Sequence, residues 1–162
     1  MRKPGKRPVG LGAETASVRL RPVREGDLKI FYEHQRDPEA HEMARFPPRD
    51  EDAFMAHWHR IMGDETVTVR TILFDGQVAG NILSFLHGDT REIGYWIGRE
   101  LWGRGIATVA LWKFLRLVTE RPLYAGVARG NTASIRVLQK CGFALLREDG
   151  DELILKLDGG PP

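Results

Sequence analysis

Apolar and charged side chains alternate from Val18 to Val23 (Val-Arg-Leu-Arg-Pro-Val), the period-two pattern of a half-buried strand. The period then changes. Leu28, Phe31 and Tyr32 share one face of a helix that opens at or beside Asp27 and ends before Pro38. Phe54, Met55, Trp58, Ile61 and Met62 mark a second helix, with Asp50 or Asp52 as its cap and Gly63 as its stop. Residues 67–74 and 77–85 are rich in strand formers, and Asp75-Gly76 between them signals a type I′ hairpin. His87-Gly88-Asp89 turns the chain into a further strand from Arg91 to Gly98. Val109, Leu111, Trp112, Leu115 and Val118 predict a helix over 109–120 that ends before Pro122. A short strand over 123–128 and a helix from Thr132 to Lys140 follow, with Gly142 as a left-handed stop. Residues 143–148 and 152–157 read as a last hairpin around Asp149-Gly150. The order β-α-α-β-β-β-α-β-α-β-β predicts an α+β fold with a mixed sheet flanked by helices. No repeat or linker interrupts it, so we expect one domain over 17–158, a flexible basic arm over 1–16 and a frayed tail over 159–162.

Between the strand ending at Gly98 and the helix that follows runs Trp102-Gly103-Arg104-Gly105-Ile106-Ala107-Thr108. A glycine-rich turn that leads into a helix exposes backbone N–H groups at the positive end of the helix dipole, which suits a diphosphate. A phosphate-binding loop of the Walker type would need Gly-Lys-Ser/Thr, and this loop ends Gly-Ile-Ala-Thr. A dinucleotide fingerprint would need an acidic residue on the next strand, whereas Glu120 falls at the end of the helix. A turn that only packs a helix on a sheet is the plainer alternative.

The residues Glu92-Ile93-Gly94-Tyr95-Trp96-Ile97-Gly98, the loop 102–108, and Asn131-Thr132-Ala133-Ser134-Ile135-Arg136-Val137-Leu138-Gln139-Lys140-Cys141-Gly142-Phe143 follow in order. Together with the opening Val18–Val23 and Asp27-Leu28, they resemble the GNAT superfamily of acyl-CoA N-acyltransferases. The closest flavour is its ribosomal-protein N-terminal acetyltransferase (RimJ/RimL-like) branch. The resemblance spans Val18 to Leu157 and implies a splayed, mixed central β-sheet flanked by helices, in a single GNAT N-acetyltransferase domain. It further implies acetyl-CoA (coenzyme A) as co-substrate, with the pantetheine arm lying between the splayed strands, and no metal.

Acyl transfer from a thioester to an amine needs held substrates, a polarised carbonyl, a deprotonated amine and a stabilised leaving thiolate. The resemblance assigns the holding to Trp102, Gly103, Arg104, Gly105, Ile106, Ala107 and Thr108, with Trp102 packing beside the cofactor. It assigns carbonyl polarisation to a backbone N–H near Trp96, Ile97 and Gly98, where the strand is expected to bulge. Glu92 is the candidate for the amine's proton, against a plain solvated strand glutamate. Asn131 would bond the pantetheine amides, and Ser134 would sit near the sulfur and assist the thiolate; helix capping is the structural alternative for both. Many GNAT enzymes carry a tyrosine later in this helix, where this chain has Leu138. Cys141 reads as a small buried residue, and Tyr95, Trp96, Phe85, Phe46, Trp58 and Phe54 as core and cleft lining.

Composition narrows the partners. No apolar run approaches the roughly 20 residues that span a bilayer, and no secretory h-region is visible, so we expect a cytoplasmic protein without a membrane partner. The net charge is +2, yet Arg2, Lys3, Lys6 and Arg7 alone supply +4, leaving the rest at −2. That argues against nucleic acid as a partner. The acceptor expected is a small-molecule or peptide amine, met by Glu33–Arg49 and the hairpin around His87, in a monomer or homodimer. Asp37, Glu39 and Glu42 there are candidates for attracting its charge, but Arg36, Arg45 and Arg49 are interleaved with them and leave the sign of the segment open. A non-catalytic acyl-CoA-binding sensor is the alternative from another class.

Overall fold

The computed structural model describes residues 17–44 and 49–160. The basic arm, Phe46 and the last two residues of the tail lie outside them. Seven strands form one mixed sheet: β1 (Val18–Arg21), β2 (Thr68–Phe74), β3 (Gln77–His87), β4 (Thr90–Ile97), β5 (Leu123–Ala128), β6 (Ala144–Asp149) and β7 (Glu152–Leu157). Their spatial order is β1-β2-β3-β4-β5-β7-β6. Helices α1 (Asp27–Gln35), α2 (Pro38–Ala44) and α3 (Glu51–Gly63) follow β1 in sequence, α4 (Ile106–Leu117) links β4 to β5, and α5 (Thr132–Lys140) links β5 to β6.

The main core lies under α4, where Val109, Ala110, Leu111, Phe114 and Leu115 are wholly buried against Ile72, Ile82 and Ile93 of the sheet. A smaller core of Leu28, Phe31, Phe54 and Trp58 packs α1 and α3 together beside Val69 and Val78. The Phe31 and Trp58 rings meet at 4.9 Å.

One ion pair ties β1, α1 and β2 together. Asp27 at the start of α1 is buried, accepts both Arg21 guanidinium nitrogens at 2.7 and 2.9 Å, and takes the Thr71 hydroxyl of β2 at 2.7 Å and the Arg24 N–H at 2.9 Å. Burial alone raises its carboxyl; the Arg21, Thr71 and Arg24 hydrogen bonds override that and bring it down to about 2.

Several sequence expectations are met in detail. Asp75 (φ 49°) and Gly76 (φ 80°) make the hairpin turn with two positive φ angles. Asp50 caps α3 by accepting the Ala53 N–H at 2.8 Å. Gly142 (φ 97°) ends α5, with the Phe143 N–H reaching back to the Leu138 carbonyl at 3.0 Å.

Three expectations are corrected. Pro38 opens a helix of its own instead of only ending the one before it. Asp37 accepts the Glu39 and Ala40 N–H groups at 2.9 and 3.4 Å, and a proline is suited to the first helical position. Helix α4 begins at Ile106, three residues before the predicted start, because Gly105 (φ 78°) turns the chain directly into it. The bulge is absent from β4, which pairs with β3 without interruption from Thr90 to Ile97, and the Gly98 N–H continues that ladder to the Ala79 carbonyl at 2.9 Å. The register shift falls instead on the β2–β3 pairing, where Ile72 faces Gly80 and Leu73 faces Val78.

Asp27→Asn leaves the Arg21 charge with a poorer partner and should destabilise the protein by about 3 kcal/mol at neutral pH, read from urea unfolding. The carboxyl is held below its ordinary value, so its contribution is full above about pH 4 and lost as pH falls towards 2. The stability gap between wild type and variant should close over that interval.

Candidate active site

The sheet opens in its middle. Strand β5 is fully paired to β7, from Leu123 with Leu157 to Ala128 with Glu152, but its parallel pairing to β4 covers only Arg91 with Leu123 and Glu92 with Tyr124. Beyond that the two strands part. This is the splay that the resemblance implied. A cleft of about 460 Å³ fills the gap, bounded by the end of β4, the loop before α4, the first turn of α4, one side of α5 along its length, and Ala40 of α2.

At the β4 wall, the Gly98 N–H to Ala79 bond fixes the alternation, so the Ile97 N–H and C=O face away from β3 towards the gap. The carbonyl is taken by the Trp102 indole N–H at 2.9 Å, which pins the strand end to the loop. The N–H remains directed at the cleft. Ile97 and Trp102 both line it; Gly98 does not. Gly98 is required by packing: a Cβ there would lie 2.7 Å from Nε2 of buried His34. Burial holds that imidazole below its ordinary value, against the opposing pull of Glu100 3.9 Å away.

On the α4 side, Gly103 (φ 77°) and Gly105 (φ 78°) both take left-handed backbone angles. The first helical hydrogen bond is that of Val109 to the Gly105 carbonyl at 3.2 Å, so the Ile106, Ala107 and Thr108 N–H groups have no acceptor within the helix. All three residues, with Gly103 and Gly105, line the cleft, and no acidic residue stands in that first turn. Arg104 does not line it.

The third wall is α5. Asn131 caps it, its side-chain oxygen accepting the Ser134 N–H at 3.2 Å. The capping role weighed from sequence is therefore present, and it leaves the Asn131 amide N–H₂ free to donate. Asn131 and half-exposed Ser134 both line the cleft, with Arg136 and Lys140. Leu138 is buried in the core.

Glu92 stands apart. It lies where β4 and β5 are still paired, about 13 Å along the strand from Trp96 at roughly 3.3 Å per residue. Its carboxylate, 17 % exposed, pairs with His87 Nδ1 at 2.6 Å, a partner that sequence reasoning missed because it depends on the β3–β4 hairpin register. Two acids of the 33–49 segment are also engaged: Arg99 binds Asp37 at 2.7 Å and Glu39 at 3.1 Å. Two buried polar atoms at the cleft have no hydrogen-bond partner among the described residues, Tyr95 Oη and Trp96 Nε1. From sequence alone both side chains read as core and cleft lining.

Residues 17–144 match the family model described as an acetyltransferase (GNAT) domain. The chain belongs to the GNAT acetyltransferase family. Comparison with the curated proteins gives no match. Among solved structures, a domain from Methanocaldococcus jannaschii superposes with a TM-score of 0.75 at 21 % identity, covering 88 % of this chain and 98 % of its own. AAC(6′)-Ib in complex with paromomycin and acetyl-CoA gives 0.75 at 19 % identity, covering 88 % and 93 %. The spermidine N-acetyltransferase of Vibrio cholerae, in complex with CoA and spermine, gives 0.74 at 14 % identity, covering 87 % and 94 %. These likenesses establish the GNAT fold. No helix of the described residues is long and apolar enough to cross a membrane.

The wall that carries Ile97 has little room behind it. A Cβ on Gly80 would lie 1.9 Å from the Trp96 carbonyl oxygen, whereas one on Gly94 would make ordinary contacts at 3.7 and 3.8 Å. Gly80→Ala should therefore cost about 1–3 kcal/mol and displace the end of β4. Gly94→Ala should stay within about 0.5 kcal/mol of wild type. Thermal unfolding of the two variants checks the contrast.

Proposed function

We propose that this protein is an acetyl-CoA-dependent N-acetyltransferase that moves the acetyl group directly to a primary amine in a ternary complex. The observation that carries the reading is the run of unpaired N–H groups at Ile106, Ala107 and Thr108, which opens into the slot where β4 leaves β5. Those donors and the two left-handed glycines suit a pyrophosphate, and a slot between parting strands suits an extended amide-bearing arm. The Asn131 amide is positioned for that arm. The Ile97 N–H is a preformed donor for the acyl oxygen, the group on which charge develops during attack.

In this reading the ammonium proton leaves by way of water to Glu92, whose distance from the cleft end of β4 rules out direct contact with a small amine held at Ile97. His87 steadies that carboxylate at the protein surface. Ser134 faces the sulfur from the opposite wall. Loop residues Trp102 and Arg104 frame the cofactor end, the first by holding Ile97 and the second from outside the cleft.

The acceptor is an amine of a small molecule or of a protein N-terminus. Relatives of this fold acetylate aminoglycosides and spermidine, which supports the first, and the RimJ/RimL-like sequence flavour supports the second. An acyl-CoA-binding sensor is the second reading, favoured by buried Leu138, a helix position without a proton donor.

Calorimetric titration should give saturable binding of acetyl-CoA and none of ATP. No binding at millimolar acetyl-CoA overturns both readings, and binding without amine-dependent thiol release across an amine library leaves the sensor. Gly105→Glu should weaken CoA at least about a hundredfold by setting a carboxylate against the phosphates. Gly105→Ala, which carries only about 1–2 kcal/mol of left-handed strain, should still bind.

A further inference from the structure

Tyr95 lies on β4 between Ile93 and Ile97, both buried in the core beneath α4, and its ring packs on that same core. The pleat thereby turns its hydroxyl to the side of the sheet where α5 begins. Ser134 of α5 stands beside it, and Ser134, unlike the phenol oxygen, is partly open to the cleft. The Tyr95 oxygen itself is buried and makes no hydrogen bond of good geometry among the described residues. A buried, unpartnered hydroxyl costs about 1–3 kcal/mol relative to a bonded one, and phenylalanine would avoid that cost.

We propose that Tyr95 is a positioning residue for Ser134. Its hydroxyl donates to Ser134 Oγ when the cleft is filled and so directs the Ser134 O–H at the thioester sulfur. The inference rests on the acetyl-CoA reading above. Its direction follows from the inventory of the two groups. Serine Oγ reaches its alternative positions by rotation about one bond between staggered wells. Once it accepts from Tyr95, its own proton has to point elsewhere, and the side left open is the cleft. Two hydroxyls in series polarise one another, so the second is a better donor than a lone serine.

The chemistry balances without a proton leaving either residue. The amine nitrogen bonds to the acyl carbon, the C–S bond breaks, and its electron pair stays on sulfur. The nitrogen's proton departs through water, and the Ser134 O–H stabilises the thiolate until solvent protonates it. Burial, outweighing the lowering by Ser134, pushes the Tyr95 phenol up to about 12. It is thus a donor of hydrogen bonds and not an acid for a thiolate, since an alkyl thiol is the stronger acid of the two. Because Tyr95 sits behind Ser134 and does not reach the sulfur, its effect is exerted entirely through the serine.

The test is the ultraviolet thiolate absorbance of free CoA bound to the protein, followed against pH. The chain has one cysteine, Cys141, and burial pushes its thiol up to about 12, so the signal reports the ligand. Arg136 and Lys140 are the charged residues lining the cleft and are unchanged in every variant. The bound thiol should titrate about one pH unit higher in Tyr95→Phe than in wild type, a tenfold loss of thiolate stabilisation. Ser134→Ala should shift it at least as far, and the double variant should match Ser134→Ala alone. Thermal stability of Tyr95→Phe should be equal to or above wild type. Unchanged titration in Tyr95→Phe with CoA binding intact, or shifts of the two variants that simply add, would overturn the pair and leave the acetyl-CoA reading standing. Failure of the wild type to bind CoA would remove that reading and the pair together.

Discussion

Everything at the site follows from one interrupted ladder. Strand β4 is bonded to β3 along its length, yet to β5 only through Arg91 and Glu92. Backbone groups beyond a broken pairing need other partners, since buried N–H and C=O groups are rarely left alone. Here the Ile97 carbonyl is satisfied by the Trp102 indole, and the Ile97 N–H is left to whatever fills the gap. The same geometry aims α4. The chain leaves β4 at the mouth of the gap and has only the loop 98–105 in which to turn, so the unpaired first turn of α4 opens beside the same space. The free donor at the end of β4 and the unpaired first turn of α4 are two results of one break.

A gap of this kind is useful only if its walls are stiff. One wall is braced by β3, against which the strand end is packed so closely that Gly80 has no room for a Cβ. Behind it, Gly98 admits the His34 ring, which fixes α1 to the end of β4. Asp27 in turn fastens α1 to β1 and β2 with short, charge-assisted bonds. The other wall is carried by the full β5–β7 ladder and by the wholly buried face of α4. The groups that face the cleft therefore sit at the ends of elements whose interiors are packed, which holds their geometry without help from a ligand.

Local chemistry was readable from the chain, and long-range pairing was not. The hairpin at Asp75-Gly76, the caps at Asp50 and Asn131, and the stop at Gly142 depend on the backbone needs of a few neighbouring residues, and each is where the sequence puts it. Helix α2 was hidden because Pro38 signals an ending as strongly as a beginning; the preceding Asp37, a good capping residue, was the clue. The glycine at 98 was legible as special but not for the right reason, since its neighbour His34 lies 64 positions earlier in the chain. Tyr95 was unreadable in the same way. Alternation alone placed it on an apolar face, and only the fold brings Ser134 to its hydroxyl.

Charge is distributed along the cleft unequally. No carboxylate lines it among the described residues, while Arg136, Lys140 and the positive end of α4 do. Of the nearby acids, Asp37 and Glu39 are engaged by Arg99 and Glu92 by His87, while Glu100 stands exposed 3.9 Å from His34. An anionic ligand thus meets an attractive field at the α4–α5 end and no competing carboxylate along the way. A cationic group is repelled from that end. In the proposed reaction, loss of an amine's proton removes the charge that keeps it from the slot, so the neutral, nucleophilic form is the one admitted to the thioester.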